Sequence, residues 1–129
     1  MPMTSPRYRR PVFLDLTKIR MPVGALTSIG HRISGVVLTI GVPVVVYLLA
    51  MSLKDEQSFA QVANQLRHVP VKAALVVLVW AFSHHVLAGV RHLLSDFNIG
   101  SPLLSARRSA WFVNLGGVAL AVLAAAVLL

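Results

Sequence analysis

Three stretches of this chain carry no formal charge, and they settle what it can fold into. Residues 33–53, 73–90 and 109–129 contain no Asp, Glu, Lys or Arg, giving runs of 21, 18 and 21 residues. A bilayer core about 30 Å thick is crossed by roughly 20 helical residues rising 1.5 Å each. Three transmembrane helices therefore fit, at about 25–53, 70–95 and 109–129, and no fourth does. The first run starts too late and is too long for a cleavable signal peptide. With 57% hydrophobic and 12% charged residues in 129, a soluble fold has no core large enough to take the apolar side chains; soluble domains carry about 25% charged residues. The expectation is an all-α membrane protein, with an interfacial segment over 1–24 and a transmembrane domain over 25–129.

The charges give the orientation. Four acids, Asp15, Asp55, Glu56 and Asp96, face twelve Lys/Arg, for a net charge of +8. Arg7, Arg9, Arg10, Lys18 and Arg20 precede the first span, and Arg91, Arg107 and Arg108 follow the second. Only Lys54, Arg67 and Lys72 border the first loop. The excess of basic residues on cytoplasmic loops predicts a cytoplasmic N-terminus and second loop, with the C-terminus outside. The Arg10–Arg20 segment mixes apolar and basic residues, as a stretch lying along headgroups would, and Pro22 suits the first turn of the next helix. The first loop, 54–69, has room for one or two amphipathic turns, with His68 as a loop residue. Pro43 should bend the first span. The third span, with Gly116-Gly117 and a run of Ala, reads as structural, its small residues allowing close packing.

Several function classes drop out. The basic residues alternate with apolar runs rather than forming a stripe with aromatics, which excludes nucleic-acid binding despite the charge. The chain has no cysteine, so it holds no disulfide, thiolate metal site or iron–sulfur cluster of its own. A proton-coupled transporter would want a carboxylate within a span, and Asp96 lies only at the end of the second.

Polar residues inside the spans are costly and point to function. They form two clusters, Ser28-Ile-Gly-His31-Arg32-Ile-Ser34-Gly35 and Ser83-His84-His85-Val-Leu-Ala-Gly89-Val-Arg91-His92. His85 and His92 are seven residues apart, about 10 Å along a helix, and share a face. Gly89 lies one turn from His85 on that face, leaving a depression where a planar ligand such as haem fits beside an imidazole. The first cluster falls at matching depth, so His31 and Arg32 are placed to meet haem propionates. Ser28 and Arg32, at i and i+4, share a face on which a quinone oxygen fits. The plainer readings are histidines that hydrogen-bond between helices and arginines that snorkel to headgroups. His84 and His85 point about 100° apart and cannot grip one iron from opposite sides. A second ligand comes from another chain, or the site is not a bis-histidine haem.

The stretches Arg10-Pro-Val-Phe-Leu-Asp-Leu, Ser28-Ile-Gly-His-Arg-Ile-Ser-Gly35 and His85-Val-Leu-Ala-Gly-Val-Arg-His92-Leu-Leu-Ser-Asp96 resemble the cytochrome b subunits of succinate dehydrogenase, respiratory complex II. The resemblance spans nearly the whole chain and is most specific in His-Arg-x-Ser-Gly and His-x-x-x-Gly-x-Arg-His. It implies that His85 is an axial ligand of haem b, the iron's other ligand being a histidine of a companion anchor subunit. It also implies that Ser28 and Arg32 line a ubiquinone site, and that His31 and Arg32 approach a haem propionate. At position 84 the family more often has an aromatic or other residue, so His84 is a second candidate ligand, although the spacing to Gly89 and Arg91 favours His85. The implied partners are a flavoprotein subunit that oxidises succinate, an iron–sulfur subunit and the companion anchor, packed with this chain into a helix bundle in a bacterial inner (plasma) membrane rather than the mitochondrial inner membrane. A fumarate reductase anchor working with menaquinol and a haem-free structural anchor are the alternatives.

Overall fold

A computed structural model describes residues 20–129. The segment before Arg20, expected along the headgroups and carrying the Arg10-Pro motif, lies outside the described residues. Four helices follow one another: α1 (Val23–Ser52), α2 (Glu56–Gln65), α3 (Val69–Asp96) and α4 (Leu103–Leu128). Among the described residues there is no strand. Helices α1, α3 and α4 are each long and apolar enough to cross a membrane.

Local chemistry sets the helix ends. Pro22 takes the N-cap of α1 in extended conformation, and its carbonyl accepts the Ala25 N–H at 2.9 Å. Helix α1 then continues through Pro43 to Ser52. Where one or two turns were expected in the first loop, α2 is a ten-residue helix. Its start is fixed by Asp55, whose carboxylate accepts the Ser58 N–H at 2.7 Å, and Glu56 adds a negative charge at the positive end of the helix dipole. Val62 of α2 is buried beside Leu48 and Leu49 of α1 and Leu75 of α3.

Exposed His68 precedes α3, and Pro70 sits in its first turn, where a missing N–H costs nothing. After Asp96 the chain reverses through Asn98 (φ 57°) and Gly100 (φ 78°), residue types that tolerate the left-handed region. Pro102 caps α4, which starts at Leu103 rather than near Ser109 as expected. Arg107 and Arg108 do not delay it, because both are exposed and long cationic side chains reach the headgroups from within a helix.

Helix α3 packs on both α1 and α4, and α1 also touches α4. What these helices bury is mostly small: Thr27 and Ser34 from α1, Ala81 and Ala88 from α3, and Ala110, Val113 and Gly117 from α4. Lipid tails are as apolar as leucine, so membrane helices gain by close backbone approach across such residues. The one bulky side chain buried among them is His84. Large apolar side chains such as Val36, Phe82 and Leu115 instead face outward, as a surface covered by lipid or another membrane chain requires.

Candidate functional site

The polar residues of α1, α3 and α4 meet at one end of the bundle, because the first third of α1 lies beside the last third of α3 and the start of α4. His31 and His85 stack with ring centroids 4.1 Å apart and planes 17° off parallel. His31 also stacks on His92, at 5.2 Å and 22°. The two clusters thus do lie at matching depth. His31 is also the side chain nearest Gly89: its Nε2 would lie 3.7 Å from a Cβ placed there, an ordinary van der Waals contact.

The hydrogen bonds of His85 fix which nitrogen is free. Its Nδ1 lies 3.2 Å from the His31 carbonyl and 3.2 Å from Ser34 Oγ, while the Ser34 hydroxyl donates to the same carbonyl at 2.8 Å. A carbonyl only accepts, so Nδ1 carries the proton and Nε2 keeps its lone pair. Metal-ligating histidines are held in just this way, with the remote N–H donated to a carbonyl. The lone pair lies in the ring plane, so a ring stacked on the face of His85 does not cover it. The donor set therefore fits an axial haem ligand. Among the described residues no three His, Cys, Asp or Glu side chains converge on one point.

The neighbouring histidine has the opposite setting. His84 is 3% exposed, lies between α1 and α4, and meets the edge of Trp80 at 5.6 Å. Its Nδ1 is buried without a hydrogen-bond partner. His85 is half-buried, on the flank where Gly35 approaches its ring. Of the two candidates, only His85 stands where a second chain has access.

Ser28 is half-buried and Arg32 exposed. At roughly 100° per residue, both fall on the flank of α1 that continues from Gly35, next to His85 and away from Thr27. The arginines differ in use. Arg91, for which snorkelling was the plain reading, instead donates through Nε to Ser109 Oγ at 3.1 Å and through an Nη to the Ala106 carbonyl at 3.3 Å, clamping α3 to the first turns of α4.

Sequence reasoning did not single out the Thr27–Asn114 link. Thr27 Oγ1 lies 3.0 Å from the Val23 carbonyl, 3.4 Å from the Ala110 carbonyl and 3.1 Å from the Asn114 side-chain amide. Asn114 offers its Oδ1 to this contact, and a hydroxyl has one proton, so Thr27 Oγ1 shares it among these three acceptors. The only clue in the sequence is the seven-residue spacing of Thr27 and Ser34 around His31.

The succinate dehydrogenase/fumarate reductase transmembrane subunit family matches residues 6–125. The chain belongs to that family. It is 40% identical over 106 residues to the succinate dehydrogenase cytochrome b556 subunit of Coxiella burnetii, covering 81% of this chain and 85% of the relative. The subunit of the same description from Paracoccus denitrificans is 33% identical over 91% of this chain and 90% of its own length, and that of Rickettsia conorii 30% over 89% and 90%. The chain is a membrane subunit of the complex II class, and its three apolar helices are the part such a subunit places in the bilayer.

Proposed function

We propose that this subunit anchors a succinate:quinone oxidoreductase in the membrane, ligates haem b through His85 and contributes Ser28 and Arg32 to the quinone pocket. The observation that carries the reading is the His85 imidazole, held by the His31 carbonyl and Ser34 at Nδ1 so that Nε2 is available on an open flank. A companion anchor subunit would supply the iron's other ligand. The cytochrome b556 designation of the relatives supports a haem of the b type, and their succinate dehydrogenase designation supports electron flow from succinate to quinone.

When bound, the haem supplies a one-electron store beside the quinone. The chain's own residues do the remainder. Ser34 and the His31 carbonyl set the proton of His85 on Nδ1. His31 and Arg32 meet the propionates. Ser28 donates to a quinone oxygen, and the Arg32 guanidinium stabilises the negative charge that develops there as the quinone is reduced. No nucleophile or acid–base set suited to succinate is present among the described residues, so that oxidation belongs to the flavoprotein, with an iron–sulfur subunit carrying electrons to the membrane. The basic residues before α1 and after α3 support a cytoplasmic position for both clusters in a bacterial inner membrane, on the side where soluble subunits would dock.

The test is a dithionite-reduced minus oxidised spectrum of the intact, detergent-extracted complex, wild type beside His85→Ala. A b-type band in the wild type, lost or turned high-spin in the variant, is the expected result. A wild type without the band leaves a haem-free structural anchor. A band untouched by the substitution moves the ligand elsewhere.

A further inference from the structure

His84 is the bulkiest of the buried residues between α1, α3 and α4, and nothing in the redox chemistry above uses it. Its ring fits into two bare stretches of backbone. A Cβ placed on Gly30 of α1 would stand 2.5 Å from His84 Nε2 and 3.0 Å from Cε1. One placed on Gly117 of α4 would stand 3.2 Å from His84 Cβ and 3.5 Å from its Cα. Any side chain at Gly30 thus collides with the imidazole, and one at Gly117 is tight against the His84 Cβ and in van der Waals contact with its Cα. Trp80, one turn earlier, closes the ring's edge. The imidazole gains no hydrogen bond at Nδ1 for being there, so its shape is what the site uses.

The neighbour in sequence is His85, about 100° further round α3. A helix wedged at one residue between two others has lost its freedom to roll, and the direction of the next side chain is fixed with it. We propose that His84 is a positioning residue: seated between Gly30 and Gly117, it sets the rotation of α3 and so aims the Nε2 of His85. Ser34 and the His31 carbonyl orient the His85 ring about its own bonds; His84 orients the helix that carries it. The inference rests on the haem reading above.

The experiment compares the intact haem-loaded complex with His84→Ala, with Gly30→Leu and with the two combined, a size swap in which leucine enters the space the ring leaves. The readouts are haem content, the low-spin electron paramagnetic resonance g-values and the haem midpoint potential. A wedge predicts that each single variant shifts the g-values and the potential or loses haem, and that the double variant moves back toward wild type. Wild-type g-values and potential in His84→Ala with full haem content would overturn it, because simple space filling leaves the iron's signature alone. Haem lost in all three variants without recovery in the double would overturn it as well. Failure of the haem reading is separate: it shows as a wild type without a b-type band, or a band that survives His85→Ala.

Discussion

Helix α3 carries two adjacent imidazoles, and the bundle treats them in opposite ways. His84 is enclosed by three helices of its own chain, against backbone on two sides and without a hydrogen bond at Nδ1. His85 is half-buried, shares its Nδ1 proton with the His31 carbonyl and Ser34, and keeps a nitrogen free. The closed face holds the chain's own helices together. The open face leaves the free nitrogen of His85 within reach of another chain. The proposed ligand is therefore the less buried histidine, because a ligand must be reached from outside the chain that holds it.

Substitutions separate the two faces. The largest effect is expected on the open flank, from Arg32→Leu. Removing a group that stabilises developing negative charge typically costs about 100-fold in rate or more. Quinone reduction should fall on that scale while succinate oxidation with a soluble artificial acceptor and the thermal midpoint hold. Equal loss in both assays would mean a damaged assembly. Next comes the closed face. Thr27→Val keeps the shape and removes the hydroxyl that links Asn114 of α4 to the Val23 carbonyl. A buried group left unpaired costs about 1–3 kcal/mol, and membrane hydrogen bonds fall toward the low end. The expected result is a lower unfolding midpoint in detergent with an unaltered haem spectrum; a shifted spectrum would show that the two faces are coupled here.

Ser34→Ala is smaller and sharper. The His31 carbonyl still takes the Nδ1 proton, so His85 keeps its tautomer and loses one of two partners, a net change of about 1 kcal/mol for a typical hydrogen bond. A modest change in haem midpoint potential with full haem content is expected, and loss of the haem would make Ser34 indispensable to the ligand. The smallest effect lies away from both faces. The Ser58 N–H bound to Asp55 holds that carboxyl below its ordinary range. A depressed folded-state value means the cap's contribution is fully present above the ordinary carboxylate pKa and is lost as pH falls through the lower value. The protection of α2 amides, measured against their intrinsic exchange rate at each pH, should fall below about pH 4 in the wild type. In Asp55→Ala that protection should already be low at neutral pH and should not fall further on acidification, with no change at either histidine.

Much of this was legible in the residues. Runs without charge located the three long helices, and histidine spacing identified one face of α3. Matching cluster depth brought His31 to His85. The α2 cap was readable in principle from Asp55-Glu56-Gln57-Ser58. Less legible was what fills a gap. Gly89 looked like room for a ligand, and its nearest side chain is His31 of α1 at ordinary contact distance, a neighbour the spacing on α3 alone does not name. Gly30 and Gly117 lie 87 residues apart and meet the same ring, a relation no local pattern encodes.

The sequence by itself determined that the chain spans a membrane three times, since a bilayer's thickness and the cost of burying charge leave one solution. It also determined that the available chemistry is that of imidazole, hydroxyl and guanidinium, because the spans contain no carboxylate and the chain no thiol. Only the tertiary structure separated His84 from His85, by burying the first and leaving the second partly open. Two neighbours on a helix point about 100° apart, and which direction is inward depends on where α1 and α4 pack, a property of the assembled bundle rather than of either residue.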